Sequence, residues 1–495
     1  MLRSFFSKFF DTPELVFAVA AGCFGLVLAF VNPLGSLPDE FSHFNRAYNI
    51  SEGRLFPPER RENTDGQGAW SATYSMPRAL VPFTWENCGY IECDRFLSSG
   101  ETDLFSDELR RSIFTDRVDF SDRVDVLAPS AEAYFPVPHM PQALGVLVGR
   151  LIYPSAGVMF VAGRLANLAF YIVAMFFIIR WAMRGKWVYV LVAAAPVPLA
   201  LAASNSADAM YFVGCFGVVV LVQNLFVSRK TICMKSLAPA LGLGLLATLT
   251  KMNSVVLLLP LLALPAQRFS LTQSRSVKRR GVSVQLRKWI MVLGLLILVA
   301  GVGALWMVVA SRMMGYIWAN DADMGAQLGW VLDNPFEYVK VLLRTFFVRH
   351  EATGTLTLFA FIDSALLTLS RVPLAIYVGF FAVLLAVYFY DDKQVKAAAT
   401  SKSEVVAALV TAMAFVVTTA TALYLGWTVV GHERVIGLQG RYFVVLFPIM
   451  IPVLLWLQRY AVFKMKSRIL LGGGVCVLLV IVLLLSIMSI VGMRS

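Results

Sequence analysis

Long runs of apolar residues recur along this chain of 495 residues and restrict it to folds that cross a membrane. A helix needs about 20 predominantly apolar residues to cross a hydrocarbon core about 30 Å thick. Charged residues make up only 15% of the chain, whereas about a quarter is usual in soluble proteins. Nine runs predict full spans: Leu15–Val31, Gly157–Ile179, Trp187–Ala203, Ala209–Val227, Trp289–Val309, Val372–Tyr390, Val405–Trp427, Phe443–Leu457 and Ile469–Val491.

A tenth apolar stretch, Leu237–Ala266, predicts a pair of short helices. Lys251-Met252-Asn253 interrupts it, and each half of about 14 residues would reach only about 21 Å at 1.5 Å per residue. We expect its polar tip near the outer membrane surface or in a protein-lined cavity, where irregular backbone is tolerated. Residues 1–495 are therefore predicted to form one all-α polytopic membrane domain with about 11 transmembrane helices, two of them short.

The net charge of +12 is distributed unevenly over these spans. With the N-terminus in the cytoplasm, 22 of the 43 Lys and Arg but only five of the 31 Asp and Glu lie on the cytoplasmic side, as the positive-inside rule expects. The surplus predicts contact with anionic membrane lipids and no nucleic-acid partner. The orientation predicts a bacterial inner-membrane protein with two long periplasmic loops, residues 34–155 and 312–371. No phosphate-binding GxxxxGK[ST] loop is present, which excludes a nucleotide-driven motor of that type.

The stretch after the first span carries two adjacent carboxylates, in the order Pro38-Asp39-Glu40. If a helix starts at Pro38, Asp39 shares one face with His43 and Arg46. Carboxylates at the membrane surface could act as general bases. The alternative is an ordinary helix cap at the interface.

Two further features place cations at outer span ends. The segment Gly437–Phe443 holds Arg441 and Tyr442 and is preceded by Arg434, and a guanidinium there can bind a phosphate or carboxylate. Its alternative is an interfacial arginine that reaches the headgroups. Lys251, at the tip of the short pair, would line a functional cavity unless the tip simply reaches water.

Weaker candidates are Arg164, inside the second span, Asp208, before the fourth, and His350, in the second external loop. Arg164 needs a partner or a polar cavity, Asp208 suits a helix cap, and His350 belongs to a charge cluster that solvent would accommodate. Cys88 and Cys93 share the first external loop and are predicted to form a disulfide in an oxidising periplasm, with two free thiols as the alternative. No Cys/His grouping has zinc spacing.

Several of these pieces together resemble a bacterial family of multi-spanning proteins related to the GT-C glycosyltransferases. The overall layout also resembles phage-type serotype-converting O-antigen glucosyltransferases. The most specific piece is Gly-Leu-Gln-Gly-Arg-Tyr-Phe. The resembling pieces are Pro38–Glu40, His43-Phe44, Arg46–Tyr48, Pro138–Gly145, Arg150, Ser206–Asp208, Lys251 and Gly437–Phe443.

This resemblance implies a GT-C-like bundle with a periplasmic active site. No cofactor is expected, because abundant Arg and Lys can hold a phosphate; a divalent metal is the alternative means of holding it. The implied donor is an undecaprenyl-phosphate-linked sugar, glucose or another hexose, and the acceptor is a hydroxyl of a lipid-linked glycan such as the O-antigen of lipopolysaccharide. Asp39 or Glu40 would be the general base of an inverting transfer, with Arg441 and Lys251 at the leaving phosphate. Remaining substrate-binding candidates are His43, Arg46, Arg434, Tyr442, Arg164, Asp208 and His350.

Two other classes of function remain open at this point. A transporter or flippase of lipid-linked glycans would need a continuous polar path across the bilayer. A glycan polymerase or ligase would use the same membrane but a pyrophosphate-linked glycan donor.

Overall fold

The computed structural model describes residues 12–62, 70–83, 107–228, 230–270, 283–314, 322–348, 400–458 and 468–492, with positions 366, 379, 382 and 383. This part of the chain is mainly helical, with three short strands. The α-helices are α1 (Pro13–Val31), α2 (Glu40–Ser51), α3 (Asp107–Thr115), α4 (Met140–Ile152), α5 (Ala156–Trp181), α6 (Lys186–Ala193), α7 (Pro196–Ala202), α8 (Asp208–Val227), α9 (Met234–Thr250), α10 (Val284–Met314), α11 (Met324–Asp333), α12 (Pro335–Phe347), α13 (Lys402–Trp427), α14 (Leu446–Ile449), α15 (Ile451–Leu457) and α16 (Arg468–Gly492).

Five of these helices, α1, α5, α8, α10 and α13, are long and apolar enough to cross a membrane. They contain five of the predicted spans, so the expectation of a helical multi-pass membrane protein is confirmed. A bent pair, Gly440–Ile449 with Ile451–Leu457, raises the number to six if it is one span. Helix α16 covers the last predicted span. The predicted span Val372–Tyr390 lies almost wholly outside the described residues.

Two predicted spans are not single straight helices. The run Trp187–Ala203 divides into α6 and α7, because Ala195 is extended (ψ 154°) before Pro196. A proline disfavours helical backbone in the preceding residue and donates no hydrogen bond itself. The run Phe443–Leu457 bends by 47° between α14 and α15, where Pro452 stands in the first turn of the second helix.

The predicted short pair in Leu237–Ala266 breaks at Lys251. Helix α9 ends at Thr250, Lys251 is extended (φ −143°, ψ 115°), and a 3₁₀ helix follows over Met252–Ala263. Neither half reaches the length of a full span. The interruption therefore places a charged side chain between two apolar segments, as the sequence predicts.

Helix α8 lies inside the bundle, because 83% of the residues in its most apolar 18-residue stretch are buried. In α10 only 22% of the corresponding residues are buried. All residues of α6 except Lys186, and all residues of α7, are also buried, next to the faces of α1 and α5. Helices that are apolar all round are stable either inside a protein or against lipid. The start of α8, which carries Asp208, is consequently held by packing on all sides.

A layer built from the described residues between α1 and α5 covers the end of the bundle at which α1 ends and α8 begins. It contains α2, α3, α4 and an antiparallel sheet of β1 (Arg60–Glu62), β2 (Trp70–Pro77) and β3 (Arg123–Leu127), which the sequence analysis did not predict. The register pairs Arg60 with Ala72 and Thr73 with Leu127. Phe44 of α2 packs on Phe160 of α5 and anchors the layer to the bundle. We call this end of the bundle the site end.

Candidate functional site

Four charged side chains meet at the site end, each from a different element. Asp39 precedes α2, Asp208 begins α8, Lys251 lies between α9 and the 3₁₀ helix, and Arg441 lies in a 3₁₀ turn, Gly440–Phe443. Arg441 Nη2 donates to Asp39 Oδ2 at 2.5 Å, and its Nη1 lies 3.4 Å from Asp208 Oδ2. Lys251 Nζ donates to Asp208 Oδ1 at 2.6 Å. The four side chains therefore contact one another in the order Asp39, Arg441, Asp208 and Lys251. We call them the four-charge cluster.

Asp39 is the accessible member of the cluster. Its side chain is 49% exposed, whereas that of Arg441 is 6% exposed. The partial desolvation of the carboxyl acts to raise its pKa, but the Arg441 guanidinium and, more weakly, His43 hold the pKa of Asp39 below its ordinary value. Asp39 is thus an ionised carboxylate that a ligand can approach.

The backbone around Arg441 explains how a guanidinium comes to lie on Asp39. Gly437 has φ +78°, and a β-carbon there would collide with the ring of Trp427. Glycine is therefore needed for the turn that leads into Gly440–Phe443. Arg441 Nη1 also donates to the Pro38 carbonyl at 3.3 Å, so the arginine contacts both backbone and side chain of the Pro38-Asp39 segment.

Lys251 is enclosed by aromatic rings. Its ammonium lies 4.3 Å from the ring centroids of Tyr211 and Tyr442, within the range of cation–π attraction. The Tyr211 hydroxyl donates to the Tyr442 carbonyl at 3.0 Å and holds the two tyrosines together. The structure therefore brings Tyr442 to the cluster, as a wall beside Lys251.

Glu40 is adjacent to Asp39 in sequence but faces the interior. Its carboxylate forms a buried ion pair with Arg164, at 2.7 Å on each oxygen, and both side chains have no exposed surface. The Arg164 side chain therefore has the partner that its position in a span requires. Because Glu40 is enclosed in this way, Asp39 is the better candidate for contact with a substrate.

Arg46 also points away from the cluster. It forms a buried ion pair with Glu132 at 3.0 Å and donates to the carbonyls of Leu55 and Tyr134. Asn49 donates to the second oxygen of Glu132 at 2.7 Å. These contacts tie α2 to the segment before α4, which indicates a structural role.

His43 contacts a residue that the sequence analysis did not identify as functional. His43 Nδ1 lies 2.9 Å from His139 Nε2, and Tyr134 packs edge-on against both rings. Burial lowers the pKa of His43 to about 4, although Asp39 and Asp208 oppose that shift. His139 stands in the Pro138–Gly145 piece of the resemblance and is one of only four histidines, a signal that could have identified it.

Arg434 is a predicted site residue that is not part of the cluster. Arg434 is half-buried, its carbonyl oxygen lies 2.9 Å from His432 Nδ1, and it makes no ion pair with the acids that the structure describes. His350, Cys88 and Cys93 lie outside the described residues. Within the described ranges, no three His, Cys, Asp or Glu side chains are grouped so that they could hold a metal ion.

A family model described as "Predicted membrane protein (DUF2142)" matches residues 23–450 of the chain. The match extends from α1 to the end of α14 and includes all four members of the cluster. No curated protein and no solved structure matches the chain.

Proposed function

The chain belongs to the DUF2142 family of predicted membrane proteins, and we propose that it is a glycosyltransferase. The proposed enzyme moves a sugar, glucose or another hexose, from polyprenyl phosphate to a hydroxyl of a lipid-linked glycan. One observation carries the proposal: the accessible carboxylate of Asp39 is paired with the buried guanidinium of Arg441. A base and an anion-binding group thus stand side by side at one end of a membrane bundle. Sugar transfer from a lipid phosphate needs both.

In the proposed reaction, Asp39 takes the proton of the acceptor hydroxyl while the hydroxyl oxygen attacks the anomeric carbon of the donor sugar. The bond between that carbon and the phosphate oxygen breaks, and polyprenyl phosphate leaves with the bonding electrons. Attack from the opposite face inverts the anomeric configuration. Arg441 stabilises the negative charge on the leaving phosphate. Because phosphate is already a good leaving group, one carboxylate suffices.

Lys251 and Asp208 support Arg441 in this scheme. Lys251 is held by Asp208 and two tyrosine rings, so it contributes a fixed positive charge next to the phosphate position. Asp208 lies between the two cations and keeps both oriented. Charges held in place in this way need little reorganisation when the phosphate charge develops.

Binding of the donor phosphate to Arg441 would replace Asp39 as the partner of the guanidinium. The released carboxylate would lose the main influence that holds its pKa down, and it would become a stronger base. The resting ion pair therefore keeps the base weak until the donor is bound. An ordered reaction with the donor first follows from this exchange.

The proposed location is a bacterial inner membrane with the site end on the periplasmic side. The excess of basic residues in the other set of loops supports that orientation. Partners would be the polyprenyl-phosphate sugar, a lipid-linked acceptor such as O-antigen, and anionic lipids.

The test is sugar transfer by the purified protein in lipid nanodiscs, with radiolabelled polyprenyl-phosphate hexose and a lipid-linked glycan. We expect transfer by wild type and losses of at least about 100-fold in Asp39→Asn and Arg441→Ala. Asp122→Asn and Arg78→Gln are matched controls, because these residues form an exposed ion pair in the external layer.

Undiminished transfer by Asp39→Asn would contradict the assignment of the base. Absence of transfer by wild type with every such donor would contradict the proposed function. Movement of the intact lipid-linked glycan across the bilayer would then support a flippase, and joining of whole glycans from a pyrophosphate donor would support a polymerase or ligase.

A further inference from the structure

Glu40 receives four hydrogen bonds although its neighbour Asp39 is half exposed. Arg164 donates to both carboxylate oxygens at 2.7 Å. The backbone amide of Gly35 donates to Oε2 and that of Asn205 to Oε1, each at 3.1 Å. A carboxylate with two oxygens accepts about four such bonds, so Glu40 has no capacity left for a substrate.

Arg164 is saturated as well. Its two bonds to Glu40 leave three N–H groups, and these reach the carbonyls of Ala29 and Asn32 at 2.9 and 2.8 Å and that of Pro33 at 2.8 Å. All five donors of the guanidinium are therefore used. The ion pair joins the end of α1, the linker that follows it and the start of α2 into one rigid unit.

The residue between the linker and this fixed point has an unusual backbone. Asp39 has φ +60°, and it is the only residue other than glycine with positive φ in the described ranges. Left-handed backbone is unfavourable for residues with a β-carbon, and it persists only where the surroundings impose it. Glu40 on one side and the turn at Gly35, with φ +77°, on the other provide that constraint.

The same carboxylate also holds the segment that leads to Asp208. Asn205 donates its amide to Glu40, and Asn167 donates to the carbonyls of Ser204 and Ser206 at 2.7 and 3.0 Å. The buried carboxylate of Glu40 thus holds both of the segments that carry the acids of the four-charge cluster.

We propose that Glu40 and Arg164 are positioning residues, which hold Asp39 in its left-handed conformation and fix its carboxylate relative to Asp208 and Arg441. The consequence for catalysis rests on the proposed function, but the consequence for the backbone of Asp39 does not. Removing the ion pair between Glu40 and Arg164 would let Asp39 relax to ordinary backbone angles and withdraw its carboxylate from Arg441.

A comparison of melting temperatures tests whether the ion pair between Glu40 and Arg164 imposes the backbone conformation of Asp39, and it needs no activity assay. Asp39→Gly and Asp39→Ala both lose the ion pair with Arg441, but glycine tolerates positive φ and alanine does not. We expect the Asp39→Gly protein to melt a few degrees above Asp39→Ala in detergent. In a Glu40→Gln background that gap should fall to less than half.

The proposal would be overturned if the melting temperatures of Asp39→Gly and Asp39→Ala differed equally in both backgrounds. It would also be overturned if they did not differ when Glu40 is present. Arg164→Lys provides a second background in case Glu40→Gln does not fold. Its ammonium can reach Glu40 but lacks the five-donor fork, so the gap should shrink there too.

Kinetics test the catalytic consequence. With Asp39 misplaced but Arg441 and Lys251 intact, Glu40→Gln should lower kcat by about 10- to 100-fold and change the donor KM by less than about 3-fold. Full kcat in Glu40→Gln, with active wild type, would overturn the positioning role and leave the proposed function standing. Inactive wild type would contradict the proposed function, and the melting gap would still decide the positioning role.

Discussion

The Lys251 ammonium lies 2.6 Å from a carboxylate oxygen of Asp208, between two tyrosine rings at 4.3 Å. This relationship gives Lys251 a role that its sequence position alone does not reveal. A lysine at the tip of two short apolar segments could simply reach water, but here its side chain is only 16% exposed. Its charge is committed to Asp208, which in turn lies beside Arg441.

Replacement of Lys251 by methionine should therefore lower stability as well as activity. Asp208 would remain buried with only Arg441 nearby, and we expect a loss of about 1–3 kcal/mol in the free energy of unfolding. Lys340→Met is the matched control, since Lys340 pairs with Glu337 on an exposed helix face, where such pairs contribute little. Thermal unfolding in detergent measures both. Equal melting temperatures for the two variants would contradict the role of Lys251.

Arg441→Gln should make Asp39 easier to protonate. The guanidinium lowers the pKa of the Asp39 carboxyl, so its loss raises that pKa and moves the protonation profile to higher pH. Carbodiimide labels protonated carboxyl groups, and mass spectrometry of the Asp39 peptide across pH follows the profile without an activity assay. Arg78→Gln serves as a control, because Arg78 pairs with Asp122. An unshifted profile in Arg441→Gln would count against the ion pair in solution.

The buried pair His43–His139 should make the protein sensitive to acid. The pKa of His43 is lowered to about 4 in the folded state from 6.5, and that of His139 is lowered as well, so the unfolded chain binds protons that the folded chain excludes. Stability should be constant above pH 6.5 and fall between pH 6.5 and about 4, by at most about 3 kcal/mol for His43. The groups that face His43 are His139, Tyr134, Asp39, Asp208, Arg441 and Lys251.

Chemical unfolding of wild type and His43→Gln from pH 4 to 8 measures this dependence. The variant should show a shallower loss, and His432→Gln should behave as wild type, because His432 lies outside the pair. A wild-type protein equally stable at pH 4.5 and 7 would refute the prediction.

The sequence predicted the broad fold and the membership of the cluster better than the roles within it. Apolar runs locate α1, α5, α8, α10 and α13 because burial in lipid or protein selects composition directly. Hydropathy averaged over Trp187–Ala203 does not show the break before Pro196, which depends on one residue's backbone. The three-stranded sheet was missed although apolar and polar residues alternate from Trp70 to Met76 in β2. This alternation buries Ala72, Tyr74 and Met76 on one face of the strand and is the signal that could have identified it.

The adjacent carboxylates show why roles were harder to predict. Asp39 and Glu40 look equivalent in sequence, and only the partners distinguish them. Arg164 is 124 residues away from Glu40, and Arg441 is 402 residues away from Asp39. A local pattern carries no information about such distant partners. The three-dimensional structure shows that the Asp39 side chain makes no helix-cap hydrogen bond and pairs with Arg441 instead, and its role as the base belongs to the proposed function.

The buried ion pair of Arg46 and Glu132 leads to a prediction that separates structural from functional arginines. Removal of either partner leaves an uncompensated buried charge, so Arg46→Met and Glu132→Gln should each destabilise the protein by about 3–5 kcal/mol. The double variant should lose clearly less than the sum, because no charge then remains unpaired. Donor binding per folded molecule should be unchanged in all three, since the pair lies away from the four-charge cluster. Thermal unfolding and binding of labelled polyprenyl phosphate measure these effects, and a specific loss of binding in Arg46→Met would return Arg46 to the substrate site.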